Sequence, residues 1–166
     1  LENIDIGGPA MTRAAAKNFP DVVIIVDSSD YGVVGDMIAN GGVSMDQRRR
    51  LASKAFQHVA GYDTLISAFL REPDASGDDK TALFPDEITF GWNRVAIPRY
   101  GENPHQAGSV YSDPLSTGGV VDAERLHGIE MSFTNYLDAE AAWTAVSDFA
   151  QPAACIVKHL NPCGLA

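Results

Sequence analysis

The order of apolar and polar positions over residues 1–70 predicts helices packed around a buried strand. An Ala-rich stretch at residues 10–17 predicts a helix that begins at Pro9, since proline is favoured at the first helical position. Residues 22–26, VVIIV, are apolar without interruption, which is typical of a strand covered on both faces. Such a strand belongs inside a parallel sheet, so the pattern predicts an α/β layer with helices on each side.

Further helices are predicted before residue 71. Residues 27–39 are expected to form a turn and then a short helix. Ser44 and Gln47 have the spacing of a capping box, with a hydroxyl at the cap and an amide three residues later. Gly61 is expected to interrupt the helix that this box opens. The apolar stripe from Tyr62 onward indicates a second amphipathic helix, so we expect a packed helical hairpin.

A change of composition divides the chain. Residues 72–85 are polar, contain Gly and Pro, and show no periodicity, which is typical of a domain boundary. We therefore expect domains at residues 1–86 and 87–166. The second domain carries three strand patterns and one helix pattern, at residues 88–97, 107–111, 153–157 and, for the helix, 134–149.

Charge and cysteine content narrow the classes of protein. Twelve Lys and Arg against 22 Asp and Glu leave a net charge of −10, which argues against a nucleic-acid or acidic-lipid surface. A small anion can still bind to a few positioned cations and helix N-terminal amides. Two cysteines are too few for a disulfide framework, so we expect a reducing cytoplasm. No apolar run approaches the roughly 20 residues that a membrane span needs.

The two ends of the chain predict that it is a piece of a longer protein. Residue 1 is leucine rather than methionine. The last residues, NPCGLA at 161–166, have the composition of a turn and follow directly on an apolar strand pattern. We therefore expect an interior fragment.

The first candidate site lies at the start of the first helix. Gly7 and Gly8 would let a ligand approach free backbone amides, while Asp5 can accept hydrogen bonds from hydroxyls or amides. Arg13 and Lys17 follow at i and i+4 on one helix face. A purely structural helix entry with a solvated basic face is the alternative, and spacing alone favours it.

The second candidate site is the donor-rich loop RYGENPHQ at residues 99–106. Arg99 offers a guanidinium fork for a phosphate or carbonyl group, and Tyr100 offers an aromatic plate for a base. A structural loop and a binding loop are equally compatible with this composition.

The third candidate site is Lys158 with His159 at the end of a predicted strand. The carboxyl ends of strands are where open α/β sheets place ligands, and a lysine beside a histidine supplies a fixed cation and a proton acceptor. Neighbours on a strand point to opposite faces, so both can serve one substrate only if the strand breaks there. We expect residues 161–162, Asn-Pro, to turn the chain.

Zinc is the alternative interpretation of this segment. Cys155, His159 and Cys163 are all possible metal ligands. The zinc deaminase pattern, however, needs His-x-Glu and Pro-Cys-x-x-Cys, and neither is present. We therefore expect no metal site.

Four segments carry a resemblance to one known family. They are ENIDIGG at residues 2–8, RAAAKN at 13–18, RYGENPHQ at 99–106 and IVKHLNPCG at 156–164. In this order they resemble the bifunctional enzymes that combine AICAR formyltransferase with IMP cyclohydrolase, over essentially the whole chain. The resemblance implies that residues 1–86 are the later part of a methylglyoxal-synthase-like domain plus helices. Residues 87–166 would begin a cytidine-deaminase-like formyltransferase domain.

The resemblance also implies an activity and its partners. The formyltransferase would move a formyl group from the co-substrate 10-formyltetrahydrofolate to the amine of AICAR, and the cyclohydrolase would close formyl-AICAR to IMP with loss of water. The intact parent would be a cytoplasmic homodimer that needs no metal, and the fragment alone would be inactive. A nucleotide-binding or assembly module that keeps the fold without chemistry is the alternative.

The matching positions imply roles for individual residues. The expected catalytic residues are Lys17 for the cyclohydrolase and Lys158 with His159 for the formyltransferase. The expected substrate contacts are Asp5, Ile6, Gly7, Arg99, Tyr100 and Asn135.

The chemistry of the two expected reactions is compatible with these residue roles. The amine of AICAR is a poor nucleophile and must lose a proton, which His159 would accept while Lys158 either stabilises the developing charge or keeps His159 neutral. Lys17 would stabilise the oxyanion of ring closure beside the amides of residues 7–8. We expect Lys158 and His159 to be partly exposed and His159 to share a pocket with Arg99.

Overall fold

The computed structural model of the chain describes residues 1–71 and 85–166. The described residues form helices and two antiparallel strand pairs, so the chain is mixed α/β. They divide into two compact units, Leu1–Gly91 and Trp92–Ala166. The expected boundary segment at residues 72–85 lies outside the described residues except for its last position.

The first helix, α1, spans Gly7–Lys17 and so begins two residues before the expected start at Pro9. The difference arises because Asp5 supplies a hydrogen-bond acceptor ahead of the helix, where the Gly8 N–H binds its Oδ1 at 3.0 Å. A 3₁₀ turn at Ser28–Asp30 then leads into α2 at Tyr31–Ala39, as the sequence predicts.

The longest helix, α3, spans Met45–Leu70. Its capping box is confirmed: the Ser44 N–H donates to Gln47 Oε1 at 2.9 Å, and the Gln47 N–H donates to Ser44 Oγ at 3.4 Å. The expected interruption at Gly61 and the helical hairpin are wrong, because α3 is continuous over 26 residues. One glycine costs a helix only about 1 kcal/mol relative to alanine, which a long packed helix can absorb.

The core of the first unit forms where α1 packs on α3. Ala16, Ala52 and Ala55 are buried together, and these small side chains let the two helices approach closely. Ile24 and Val26 pack against this cluster. The predicted strand at residues 22–26 is wrong for the described chain, because no described strand pairs with it. Two of its apolar side chains, Ile24 and Val26, pack on α1 and α3.

The second unit contains all the described strands. β1 at Asn93–Ala96 pairs antiparallel with β2 at Val110–Ser112, and both are shorter than the apolar patterns suggest. The helix α4 spans Phe133–Ser147 and packs against a second hairpin. That hairpin consists of β3 at Cys155–Lys158 and β4 at Asn161–Leu165.

The strand β4 replaces a turn that the sequence suggests. Asn-Pro at residues 161–162 was expected to reverse the chain, yet both residues belong to the strand. The reversal occurs earlier, at His159 and Leu160, where the backbone φ angles are 50° and 66°. Pro162 is tolerated because it lies in a two-stranded ladder, where every strand is an edge strand.

Candidate functional site

The entry of α1 is organised by Asp5. Its backbone N–H donates to the Tyr62 hydroxyl of α3 at 2.9 Å, while its carboxylate accepts the Gly8 N–H. A Cβ at position 8 would overlap that carboxylate, so a larger residue there would displace the Asp5 side chain from the cap. The expectation of free amides at residues 7–8 is therefore wrong for Gly8. Ile6 and Gly7 are exposed beside the cap, and the Ile6 side chain is 73% exposed.

Lys17 lies at the opposite end of α1. It is the last helical residue and is exposed. Ten residues of helix separate it from Gly7, a rise of about 15 Å. Lys17 therefore does not lie beside the amides of residues 7–8, and that expectation is wrong. Arg13, one turn earlier, stands over the Phe56 ring of α3 with its guanidinium carbon 5.7 Å from the ring centre.

A charged cluster fixes the 3₁₀ turn to α3. Lys54 Nζ lies 2.6 Å from Asp27 Oδ2 and 2.7 Å from Asp30 Oδ2. The Lys54 ammonium, followed by the Ser29 hydroxyl and N–H, lowers the pKa of Asp27 far below its ordinary value. Hydrogen bonds to Asp27 and then Asp30 raise the pKa of Lys54. The cluster thus ties the chain to α3 directly after the apolar segment at residues 22–26.

In the second unit, the Arg99–Tyr100 segment runs along the start of α4. The Arg99 N–H donates to the Met131 carbonyl at 3.1 Å, and the Phe133 N–H donates to the Tyr100 carbonyl at 3.3 Å. The Arg99 guanidinium is exposed and stacks over the Tyr100 ring, 5.5 Å from its centre. Backbone hydrogen bonds therefore place the Arg99–Tyr100 segment near the N-terminus of the helix.

The Arg99 guanidinium is not paired with a carboxylate in the described part of the chain. The nearby Glu130 accepts a hydrogen bond from Arg125 at 3.0 Å. The pKa of Glu130 is lowered first by its own backbone N–H and then by Arg125, with a smaller contribution from the Arg99 charge. Within the described residues, Arg99 itself forms no ion pair, which leaves its guanidinium free to meet an anionic ligand.

Asn135 belongs to the cap of α4. Its Oδ1 accepts the Ser132 N–H at 3.0 Å and the Ser132 hydroxyl at 2.9 Å, and its own N–H donates to Ser132 Oγ at 3.3 Å. Its side chain is exposed, and its Nδ2 has no acceptor in the described part of the chain. The amide oxygen is therefore committed to the cap, while the amide nitrogen can reach a ligand.

Lys158 and His159 occupy the end of β3 and the turn that follows it. β3 ends at Lys158, as a shared site requires, and both side chains are exposed. Because His159 lies in the turn, it escapes the strand alternation that would direct it away from Lys158. The Asn161 Nδ2 donates to the His159 carbonyl at 2.7 Å, which braces the turn locally.

The turn is also tied to α4. The Leu160 N–H donates to Asp138 Oδ1 at 2.8 Å. Asp138 lies five residues beyond Phe133, a rise of about 7.5 Å along the helix. The first two turns of α4 thus hold both the Arg99–Tyr100 segment and the turn that carries His159.

A separate cavity of about 430 Å³ lies elsewhere in the second unit. Neither Arg99 nor His159 lines it, so their sharing of one pocket stays a prediction. The cavity is mainly apolar, with walls that include Val110, Val120, Phe133, Tyr136 and Leu137, and three carboxylates line it: Asp113, Asp122 and Glu140.

Sequence reasoning missed two residues that hold these sites together. Tyr62 fits the apolar stripe of α3, yet its hydroxyl binds a backbone N–H 57 positions away. Asp138 gives no signal in the helix pattern, although it anchors a turn 22 positions away. No local spacing rule predicts either contact, because both depend on how the elements pack.

Residues 1–71 and 85–166 offer neither a cluster of metal ligands nor a membrane-spanning helix. These residues contain no group of three or more His, Cys, Asp or Glu side chains that could hold a metal ion. No described helix is long and apolar enough to cross a membrane. Cys155 and Cys163 are both free thiols.

Comparison with known proteins identifies the family. The model of the AICARFT/IMPCHase bienzyme family matches residues 15–166. The chain is 46% identical to the bifunctional purine biosynthesis protein PurH of Mycobacterium marinum and 50% identical to that of Persephonella marina, over its full length and 32% of each relative. The PurH protein of Mycobacterium leprae is also 46% identical, with 31% of its length covered. The chain thus spans about a third of these relatives, and it belongs to the AICARFT/IMPCHase bienzyme family.

Proposed function

We propose that the intact protein containing this chain catalyses two consecutive steps of purine biosynthesis. The first transfers a formyl group from 10-formyltetrahydrofolate to the amine of AICAR, and the second closes formyl-AICAR to IMP with loss of water. Family membership over residues 15–166 is the observation that carries this proposal. The relatives named as bifunctional purine biosynthesis proteins support it.

Each activity would draw on one part of the chain. Residues 1–86 would belong to the cyclohydrolase, with a methylglyoxal-synthase-like fold, and residues 87–166 to the formyltransferase, with a cytidine-deaminase-like fold. The division of the described residues into compact units at Gly91 and Trp92 supports two separate parts.

Formyl transfer would take place at the start of α4. The amine nitrogen of AICAR attacks the formyl carbon, and its proton passes to His159. The bond between that carbon and the folate nitrogen breaks, and the folate nitrogen takes up a proton. Lys158 stabilises the negative charge of the tetrahedral intermediate, while Arg99, Tyr100 and Asn135 bind AICAR. The attachment of these segments to the first two turns of α4 supports a common site.

Ring closure would use the two ends of α1. The carboxamide nitrogen attacks the formyl carbon, and Lys17 stabilises the oxyanion before water leaves. Asp5, Ile6 and Gly7 would contact the nucleotide at the other end of the helix. Because about 15 Å of helix rise separates Gly7 from Lys17, these residues would contact different parts of the ligand.

The remaining partners follow from the same proposal. Folate is the co-substrate, no metal takes part, and neither nucleic acid nor a membrane is a partner. We infer a cytoplasmic homodimer of the intact protein. Its free cysteines fit a reducing compartment, and side chains such as Leu126, 83% exposed, and Ile156, 71% exposed, fit burial against further protein.

The test uses the intact protein with AICAR and 10-formyltetrahydrofolate. We expect folate-dependent consumption of AICAR and formation of IMP, each followed chromatographically. Chelation of metals should leave both rates unchanged. Binding of AICAR without conversion, in full-length folded protein, would refute the proposal and favour the non-catalytic module.

A further inference from the structure

The turn between β3 and β4 has an uncommon backbone. His159 and Leu160 have φ angles of 50° and 66°, and among the described residues they are the only positions other than glycine with positive φ. Two-residue hairpin turns of this kind favour Asn-Gly, whereas a bulky leucine pays a steric cost there. Residues held in such conformations persist where the surrounding structure enforces them, and they concentrate at functional sites.

Among the described hydrogen bonds, one from another element reaches this turn. Asp138 Oδ1 on α4 accepts the Leu160 N–H at 2.8 Å. The other hydrogen bond, from Asn161 Nδ2 to the His159 carbonyl, is local to the hairpin and cannot position the turn relative to α4. Together with the packing of β3 and β4 on α4, Asp138 fixes where His159 lies with respect to the Arg99–Tyr100 segment, which is bonded to the same helix.

The helix itself gains nothing from Asp138. Aspartate is disfavoured relative to alanine in the interior of a helix, and Asp138 lies in the sixth position of α4. In the described chain its side chain forms one hydrogen bond, to Leu160. The contact with the turn is therefore the reason that the structure offers for a carboxylate at this position.

We infer that Asp138 is a positioning residue for formyl transfer: by accepting the Leu160 N–H, it holds His159 where it can take the proton of the AICAR amine. This inference rests on the role of His159 in the proposed function. Small displacements of a reacting group lower rates strongly, so the loss should fall on kcat rather than on the KM for AICAR.

The test compares variants of the intact protein. Asp138→Ala removes the acceptor and should lower kcat for formyl transfer roughly ten- to a hundredfold, with the KM for AICAR nearly unchanged. Asp138→Asn keeps an oxygen acceptor and should retain most of the rate. Asp148→Ala, at the exposed end of the same helix, is the matched control and should behave as wild type. Cyclisation of formyl-AICAR should be unchanged in all three.

A rescue variant separates positioning from folding. Leu160→Gly in the Asp138→Ala background should restore part of kcat, because glycine adopts a positive φ without steric cost. A purely structural defect in α4 would not respond to this change. Should Asp138→Ala fail to fold, Asp138→Glu, which displaces the acceptor by one methylene, replaces it in the comparison with Asp138→Asn.

Three results would overturn the inference. They are wild-type kcat in Asp138→Ala, equal losses in Asp138→Ala and Asp138→Asn, and no rescue by Leu160→Gly. His159→Ala, measured in parallel, distinguishes the two proposals. If that variant still transfers the formyl group, the role proposed for His159 fails and the inference fails with it. If it is inactive while Asp138→Ala is fully active, only the role of Asp138 fails.

Discussion

Asn135 offers a prediction in which a structural role and a binding role can be separated. Its Oδ1 caps α4 through two hydrogen bonds from Ser132, whose side chain is almost fully buried at 2% exposure. Its Nδ2 is free within the described residues and is proposed to bind AICAR. Asn135→Ala removes both functions, whereas Ser132→Ala removes most of the cap and leaves the Asn135 amide in place.

The expected magnitudes follow from these contacts. Loss of a capping side chain costs about 1 kcal/mol, so both variants should lower the free energy of unfolding by a similar amount. Loss of one neutral hydrogen bond to a ligand costs about 0.5–1.5 kcal/mol, which corresponds to a roughly 2- to 12-fold rise in KM. We expect that rise in Asn135→Ala and at most a small one in Ser132→Ala.

The assay measures urea unfolding and the KM for AICAR of both variants in the intact protein. Asn135→Asp serves as the matched control, because it keeps the oxygen acceptor for Ser132 and removes the Nδ2 donor. It should preserve stability and raise the KM. Equal KM values in Asn135→Ala and Ser132→Ala would show that Asn135 acts only as a helix cap, and the proposed substrate contact would be wrong.

The remaining predictions concern both units. Lys17→Ala should abolish cyclisation and spare formyl transfer, and His159→Ala should do the reverse; loss of both activities in either folded variant would refute separate sites. Lys54→Met should destabilise the protein at pH 7, and the difference from wild type should shrink at pH values below the ordinary Asp27 value of 3.8. The reason is that a carboxyl whose pKa is lowered by folding stabilises the protein above its ordinary pKa and loses this contribution on acidification. Equal differences from wild type in the free energy of unfolding in urea, at pH 7 and below pH 3.8, would contradict this. Gly61→Ala should stabilise α3 by about 0.5–1 kcal/mol, since a Cβ there meets open space, and a lower thermal midpoint would count against it.

Local chemistry made several elements predictable from the sequence. The capping box of Ser44 and Gln47, the short helix at Tyr31–Ala39 and the helix start near residue 134 all depend on contacts within a few positions of the chain. The four family segments can likewise be identified from the order of residues alone, and the similarity to the PurH relatives over the full length of the chain agrees with them. Such short-range signals predict local structure correctly because residues that are close in sequence are also close in the fold.

Other elements were decided only by tertiary contacts. Gly61 continues a helix, because packing along α3 outweighs the preference of one glycine. The apolar segment at residues 22–26 lacks a described strand partner and packs on helices, since an apolar run specifies burial but not its partner.

The clearest case is the turn that carries His159. His-Leu has no turn signal comparable to Asn-Gly, and Asn-Pro two residues later has a stronger one. The chain nevertheless reverses at His159 and Leu160, where a carboxylate 22 positions away accepts the Leu160 N–H. The sequence by itself indicated which residues are candidates for the proposed chemistry. Only the tertiary structure decided where His159 lies, because the free energy that holds a positive φ comes from contacts between elements distant in the chain.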